Sequence, residues 1–209
     1  MGVTIHYHGG LADPTQLDTV LAMLRTECEQ RGWPYDEHDF EASGTFETYS
    51  TRSVPSDLPG LDDGIIETNY VELNTRWRGL MIDPHPDCEP LFMMFDPQTG
   101  HLMMLMDVAN GQSLSYYLST KTQFAPPEIH IAICEVLHRL QAEFGAANLH
   151  VSDEGEYFET GDMNTLLKKR GIIEQAMNNL ELITGLTRWA TAGEPLEPPD
   201  AEQLAQRLN

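Results

Sequence analysis

The feature that most constrains the fold is a period of two in the apolar residues between residues 66 and 118. The clearest run places apolar or β-branched residues at every second position, between polar neighbours: Val71, Leu73, Thr75 and Trp77. Such alternation is typical of strands that bury one face. Turn-forming stretches, DPHPDCEP at 83–90 and DPQTG at 96–100, separate the runs. We therefore expect an antiparallel sheet in this region.

Apolar residues at helical spacing predict three helices around this sheet. The first extends from Asp13, which is suited to cap it, to Gly32, which is suited to end it. The second extends from Pro126 to about residue 145, and the third from Asp162 to Gly185. Together with a first strand at VTIHYHG, this order predicts an α+β fold. We expect an antiparallel or mixed sheet of about five to six strands, with the three main helices packed on one face.

The length of 209 residues is that of one domain with an appendage. We assign residues 1–188 to a single α+β domain. Residues 189–209, which begin with a proline-rich stretch, are interpreted as a C-terminal linker and a short helix. Prolines and glycines also interrupt the pattern at 50–64, and we expect an irregular loop there.

The charge is strongly acidic, with 12 Lys and Arg against 33 Asp and Glu, for a net charge of −21. Binding of nucleic acid requires clustered cations, as does binding to an anionic membrane surface, so neither partner is expected. Three interpretations remain: a surface that favours solubility, an acidic face for a basic protein partner, or a mimic of nucleic acid. The acids are spread over the whole chain, which favours the first.

Three widely spaced cysteines, Cys28, Cys88 and Cys134, form neither a disulfide framework nor a CxxC pair. A reducing cytoplasm is the simplest compartment for such a chain. The first ten residues lack the basic and apolar regions of a secretory signal. No run of eighteen apolar residues occurs that would predict a transmembrane helix.

Histidines give the first candidate site. His6 and His8 are two residues apart on a predicted strand, so both imidazoles lie on one face. Two imidazoles hold Zn²⁺ or another divalent metal only if further ligands join them. We take His130, on the second helix, as the third candidate ligand. The alternatives are a solvated pair of histidines and a helix flank on which Cys134 is structural.

Five carboxylates within SDEGEYFETGD, residues 152–162, give the second candidate. Asp153 with Glu154 or Glu156 is a possible catalytic pair, provided that the pKa of one carboxyl is raised. The alternative is that these acids solvate a strand and that Asp162 caps the third helix.

Three cations give the third candidate, an anion-binding site. Lys121 lies between two threonines near the start of the second helix, and Arg76 and Arg78 share the polar face of one strand. No glycine-rich phosphate loop accompanies them. The alternative for the arginines is pairing with acids on the neighbouring strand.

The run TKTQFAPPEIHIAICEVLHRL, followed by SDEGEYFETGD, resembles a segment of small bacterial proteins of unassigned function. The resemblance covers the chain from Thr120 to about Leu180. It implies a bacterial, soluble protein, and it supplies no activity, cofactor or partner.

No complete motif for a nucleophile, a dinucleotide or a zinc protease occurs in the chain. We therefore expect a soluble, acidic, non-enzymatic binding or accessory protein without a cofactor, acting through a protein surface. The alternative is a hydrolase dependent on a divalent metal, with histidine and carboxylate ligands. The sequence does not set the oligomeric state.

Overall fold

The computed structural model describes residues 3–55, 62–108, 111–143, 148–173 and 175–176. Within these ranges the helices and strands are β1 (Thr4–His8), α1 (Leu17–Arg31), β2 (Tyr35–Pro55), β3 (Asp62–Ile82), β4 (Leu91–Phe95), β5 (Met104–Val108), β6 (Gly111–Ser115), β7 (Tyr117–Lys121), α2 (Pro127–Glu143), β8 (His150–Asp153), α3 (Tyr157–Thr160) and α4 (163–173). This mixture of strands and helices confirms the predicted α+β class. The predicted C-terminal segment 189–209 lies outside the described residues.

The strands form two sheets, where the sequence predicted one. The first sheet has three antiparallel strands in the order β7-β1-β8. The second has five strands in the order β4-β3-β2-β6-β5. The division arises because β1 pairs with two strands from the second half of the chain, and sequence spacing does not reveal such a pairing.

A long ribbon formed by β2 and β3 dominates the five-stranded sheet. The two strands pair without interruption from Tyr35 opposite Ile82 to Pro55 opposite Asp62. The predicted irregular loop at 50–64 is therefore wrong for residues 50–55 and 62–64. The backbone of the ribbon accommodates Pro55 and Gly64 within its paired strands. The neighbouring residues 66–70 are all exposed, so they carry no alternating signal that would predict a strand.

Two hydrophobic clusters lie on the two faces of the β2–β3 ribbon, toward the end at which Tyr35 pairs with Ile82. The larger cluster packs α1 and α2 against the three-stranded sheet and β4, with fully buried Ile5, Leu24, Leu80 and Leu137. The smaller cluster lies on the other face and is formed by Ala42, Phe46, Trp77, Met94, Met103 and Leu114. The helices α1 and α2 thus pack on one side, as predicted, while β5 and β6 contribute Leu105 and Leu114 to the cluster on the other side.

Buried polar groups join these layers. The Tyr7 hydroxyl on β1 accepts a hydrogen bond from the Phe92 amide at 3.0 Å, and it lies 3.2 Å from the Phe92 carbonyl on β4. Glu27 on α1 is buried and pairs with Arg31 on the same helix and with Arg139 on α2. These contacts fix the two sheets and the two long helices in one arrangement.

Among the residues that the structure describes, no helix combines the length and apolarity needed to cross a membrane. Cys28, Cys88 and Cys134 are unpaired thiols, and the first and last of them are buried.

Candidate functional site

The densest set of chemically active side chains is a buried chain of hydrogen bonds through Thr122, His130 and Asp153. Thr122 follows β7, His130 lies on α2 and Asp153 ends β8. The Thr122 hydroxyl lies 2.7 Å from His130 Nδ1, and His130 Nε2 donates to Asp153 Oδ2 at 2.9 Å. The side chains of His130 and Asp153 are both fully buried. We call these three residues the buried network.

Asp153 is the anionic end of the buried network. Besides His130, its carboxylate accepts the backbone amides of Gly155, Tyr157 and Phe158 at 2.7–3.0 Å. Burial alone would raise the pKa of this carboxyl. The hydrogen bonds and the positive charge available from His130 outweigh burial and hold the pKa below its ordinary value. The carboxylate therefore stays ionised and serves as an acceptor.

The sequence DEGEYF builds this arrangement locally. Asp153 precedes the short helix α3 and receives two of the free amides at its start, as capping residues do. Gly155 leaves the space that the network needs. A Cβ there would lie 2.7 Å from Leu166 Cδ1 and 3.1 Å from His130 Nε2. The glycine thus permits α4 and α2 to close over the carboxylate.

Cys134 joins this group from the next turn of α2. The ligand-type atoms of His130, Cys134 and Asp153 all lie within 4.8 Å of one another, and all three residues are buried. Burial, with a smaller contribution from Asp153, raises the pKa of the Cys134 thiol well above its usual range. The group has the chemistry to hold a metal. However, its carboxylate is already occupied by four N–H donors, and the side chains of His130 and Asp153 have no exposed surface.

The predicted metal ligands do not come together. His6 and His8 lie on the open face of the three-stranded sheet, whereas His130 lies beneath the opposite face in the buried network. His6 contacts Glu154, with 3.5 Å between Nε2 and Oε1. His8 packs between Tyr117 and His150, with ring centroids 4.6 Å and 5.0 Å away. Partial burial and the nearby His150 lower the pKa of His8.

The three predicted catalytic acids diverge. Asp153 points into the core, while Glu154 is exposed on the open face and accepts the Thr4 amide at 3.0 Å. Glu156 is also exposed and pairs with Lys169 on α4. The structure therefore shows no convergent carboxylate pair among these residues. Asp162 caps α4, as the alternative interpretation predicted, by accepting the amide of Asn164 at 2.9 Å.

The predicted anion-binding cations are separated. Arg76 makes two hydrogen bonds with Asp39, and Arg78 pairs with Asp18 and Asp39. Cross-strand pairing, which the sequence left as the alternative, thus occupies both guanidinium groups. Lys121 lies on the other sheet, with its ammonium group 5.4 Å from the centre of the Phe124 ring.

An open cleft of about 540 Å³ lies beside the histidines. Its walls include His8, His101, Tyr116 and Tyr117. Burial, followed by the charge of Asp96, raises the pKa of Tyr116. The Asp96 carboxylate itself is held by Thr75, Gln98 and Thr99 within its turn. Aromatic and aliphatic side chains thus line the cleft, and the carboxylate of Asp96 already has its hydrogen-bond partners.

A second exposed surface lies on the β2–β3 ribbon, around and beyond the point where Glu47 pairs with β6. Residues directly opposite each other in an antiparallel pair share a face. By that register one face carries Glu47, Tyr49, Ile66, Tyr70 and Glu72, which we call the arm surface. Its three large side chains are exposed by 47% (Tyr49), 70% (Ile66) and 67% (Tyr70).

Two parts of these sites were not predicted from the sequence. Thr122 is one of several threonines near the start of α2, and only the fold shows that its hydroxyl reaches His130. His150 is 142 positions from His8 in the chain, and their proximity depends on the pairing of β1 with β8. A prediction of strand pairing would have been the signal for the proximity of His8 and His150.

Comparison of the chain with protein-family models, with curated proteins and with solved structures gives no match. The assignment of function therefore depends on the geometry of the chain itself.

Proposed function

We propose that the protein is a non-enzymatic binding protein that recognises a basic protein partner through the arm surface. The observation that carries this proposal is the exposure of Tyr49, Ile66 and Tyr70 on one face of a projecting ribbon. Aromatic side chains are enriched in the centres of protein interfaces, and contiguous exposed apolar groups mark such sites. A two-stranded ribbon also gains stability when a partner covers it.

Charge supports a basic partner. The chain carries a net charge of −21, and several of its cations are already paired with acids within the fold, among them Arg25, Arg31, Arg76, Arg78 and Lys169. The arm surface adds the carboxylates of Glu47 and Glu72 beside its aromatic side chains. A field of this sign speeds the encounter with a cationic surface and disfavours acidic partners. Nucleic acids and anionic membranes are disfavoured for the same reason.

The buried network also supports a non-enzymatic function. Its hydroxyl, imidazole and carboxylate, joined in that order by hydrogen bonds, are groups that catalytic sites also use. Catalysis requires that such groups reach a substrate within hydrogen-bond distance. His130 and Asp153 are fully buried, so we assign the network to the stability of the fold.

We further propose a bacterial, cytoplasmic setting. The unpaired thiols of Cys28, Cys88 and Cys134 suit a reducing compartment, and the resemblance at 120–180 favours a bacterial source.

Removal of the aromatic side chains of the arm surface tests the proposal. We expect the double substitution Tyr49→Ala, Tyr70→Ala to weaken binding of the recovered partner at least about 30-fold, as loss of interface hot spots does. Wild type and variant serve as baits in lysate of the source cells. Each recovered protein is then identified, expressed and titrated by biolayer interferometry at several salt concentrations.

Tyr117→Ala is the matched control, because Tyr117 is exposed by 71% but lies on the other sheet. The proposal predicts a partner with excess positive charge that binds the Tyr117→Ala control but not the arm variant. Its binding should weaken as the salt concentration rises. Recovery of no arm-dependent protein, or of an acidic one, would contradict it.

A metal-dependent enzyme is the second candidate. The observation that favours it is the group His130, Cys134 and Asp153, whose ligand-type atoms lie within 4.8 Å. It ranks second because the group is sealed from solvent and leaves no room for a substrate. Elemental analysis of the protein and of Cys134→Ser decides: a stoichiometric metal that the substitution removes would favour this candidate.

A further inference from the structure

The open face of the three-stranded sheet brings together three histidines that the chain supplies from two distant segments. His6 and His8 lie on β1, and His150 lies directly opposite His8 on β8. The His8 and His150 rings have their centroids 5.0 Å apart and are inclined by 23°. His6 is the neighbour of His8 on the same face, about 7 Å away along the strand.

We propose that His6, His8 and His150 form a site for a divalent transition metal of the Zn²⁺ class. Imidazole suits Zn²⁺, Cu²⁺ and Ni²⁺. Three protein ligands with a fourth position left to water is the pattern of open zinc sites, with Zn–N distances of about 2.0–2.1 Å. A pair at i, i+2 with a third ligand from the adjacent strand can supply three nitrogens to one ion.

The ring nitrogens of His8 and His150 are available, and His6 Nε2 has only a contact of 3.5 Å with Glu154 Oε1. Among the described residues, none forms a hydrogen bond with the ring of His8 or His150, whose recorded neighbours are ring contacts. His6 leans toward Glu154, and its side chain is 50% exposed. Metal binding requires this exposed side chain to rotate toward His8, because the ligand atoms of the three histidines do not all lie within 4.8 Å of one another in the structure. The arrangement differs from the buried network, in which each nitrogen of His130 already has a partner.

The surroundings provide an open coordination position. His8 also lines the cleft of about 540 Å³, whose opposite walls include His101 and Tyr116. A metal held on this face would therefore keep access to water and to small ligands in the cleft. The three histidines belong to the three-stranded sheet and the arm surface to the five-stranded sheet, so this proposal does not rest on the proposed protein partner.

Titration of untagged, chelator-stripped full-length protein with ZnCl₂ by calorimetry tests the site. We expect one equivalent to bind. His8→Gln and His150→Gln should each weaken binding at least about 10-fold, since substitution of a residue that only hydrogen-bonds to a metal ligand already lowers metal affinity by that factor. His138→Gln is the matched control, because His138 is an exposed histidine on α2 that stacks on Phe158. It should bind Zn²⁺ as the wild type does.

Two measurements on the wild-type protein keep the test independent of how the variants fold. We expect Zn²⁺ to shift the imidazole NMR signals of His6, His8 and His150 and to leave those of His130 in place. With Co²⁺ we expect a spectrum without thiolate charge transfer. The proposal would be overturned if no Zn²⁺ bound, or if the two histidine substitutions left binding unchanged. Thiolate bands that disappear in Cys134→Ser would also overturn it, because they would place the ion at the buried group.

Discussion

Substitution of Asp153 by alanine is expected to lower the free energy of unfolding by about 3–5 kcal/mol. This is the cost of removing one partner of a buried pair and leaving the other without it. The carboxylate accepts hydrogen bonds from His130, Gly155, Tyr157 and Phe158. Its removal leaves these donors without an acceptor in a site that solvent does not reach. Urea unfolding followed by tryptophan fluorescence measures the change.

Two comparisons make this test specific. Asp153→Asn retains one acceptor oxygen and should cost less than the alanine substitution. Asp162→Ala removes a carboxylate that caps α4 at the surface, and it should cost only about 1 kcal/mol. Equal effects of Asp153→Ala and Asp162→Ala would show that Asp153 acts only as a helix cap.

The same residue gives the stability an expected pH dependence. The pKa of Asp153 in the folded protein lies below the ordinary value of 3.8. Its contribution is therefore fully present above pH 3.8 and is lost as the pH falls through the folded pKa. We expect the unfolding free energy of the wild type to fall more steeply below pH 4 than that of Asp153→Asn. Parallel curves would contradict the assignment of an ionised carboxylate.

Substitution of Gly9 by alanine is expected to cost at least about 3 kcal/mol, from two sources. Gly9 adopts φ = +105°, which is strained for an L side chain. An added Cβ would also overlap the carbonyl oxygen of Asn148, just before β8. Relief requires the end of β1 to move away from β8, which would separate His8 from His150. Thermal unfolding and the imidazole NMR signals of these histidines report both effects.

The substitution Gly32→Ala separates the conformational cost from the cost of steric overlap. Gly32 ends α1 with φ = +68°, and an added Cβ there meets no atom within 4 Å. The substitution therefore carries only the conformational cost of about 1–2 kcal/mol. If Gly9→Ala proved no worse than Gly32→Ala, the close approach of β1 to the start of β8 would be wrong.

The parts of the fold that sequence predicted well are those with local signals. Asp13 accepts the Thr15 amide at the start of a short 3₁₀ helix, Pro14–Gln16, that leads directly into α1, and Gly32 ends α1 in a left-handed conformation. Gly100 likewise closes the DPQTG turn with positive φ, by donating to the Asp96 carbonyl. Capping and turn chemistry depend on neighbouring residues, so a single sequence contains the information.

The parts that sequence did not predict depend on distant pairing or on exposed ribbons. The acids of SDEGEYFETGD are expected from the sequence to form a catalytic pair or to solvate a strand, but the strand ends at Asp153 and α3 begins at Tyr157. The role of Asp153 is set by His130, which comes from α2. The pattern HxH correctly placed His6 and His8 on one face, yet it gave no means to choose His150 over His130 as their neighbour.

Reaction of the native protein with diethyl pyrocarbonate, followed by peptide mass spectrometry, tests most directly whether the buried network is a sealed structural element. We expect His130 to stay unmodified under conditions that fully modify His6 and His150, and to react only when the protein unfolds. Modification of His130 in the folded protein at a rate close to that of His6 would contradict this account, because an imidazole that a reagent reaches is also open to a substrate.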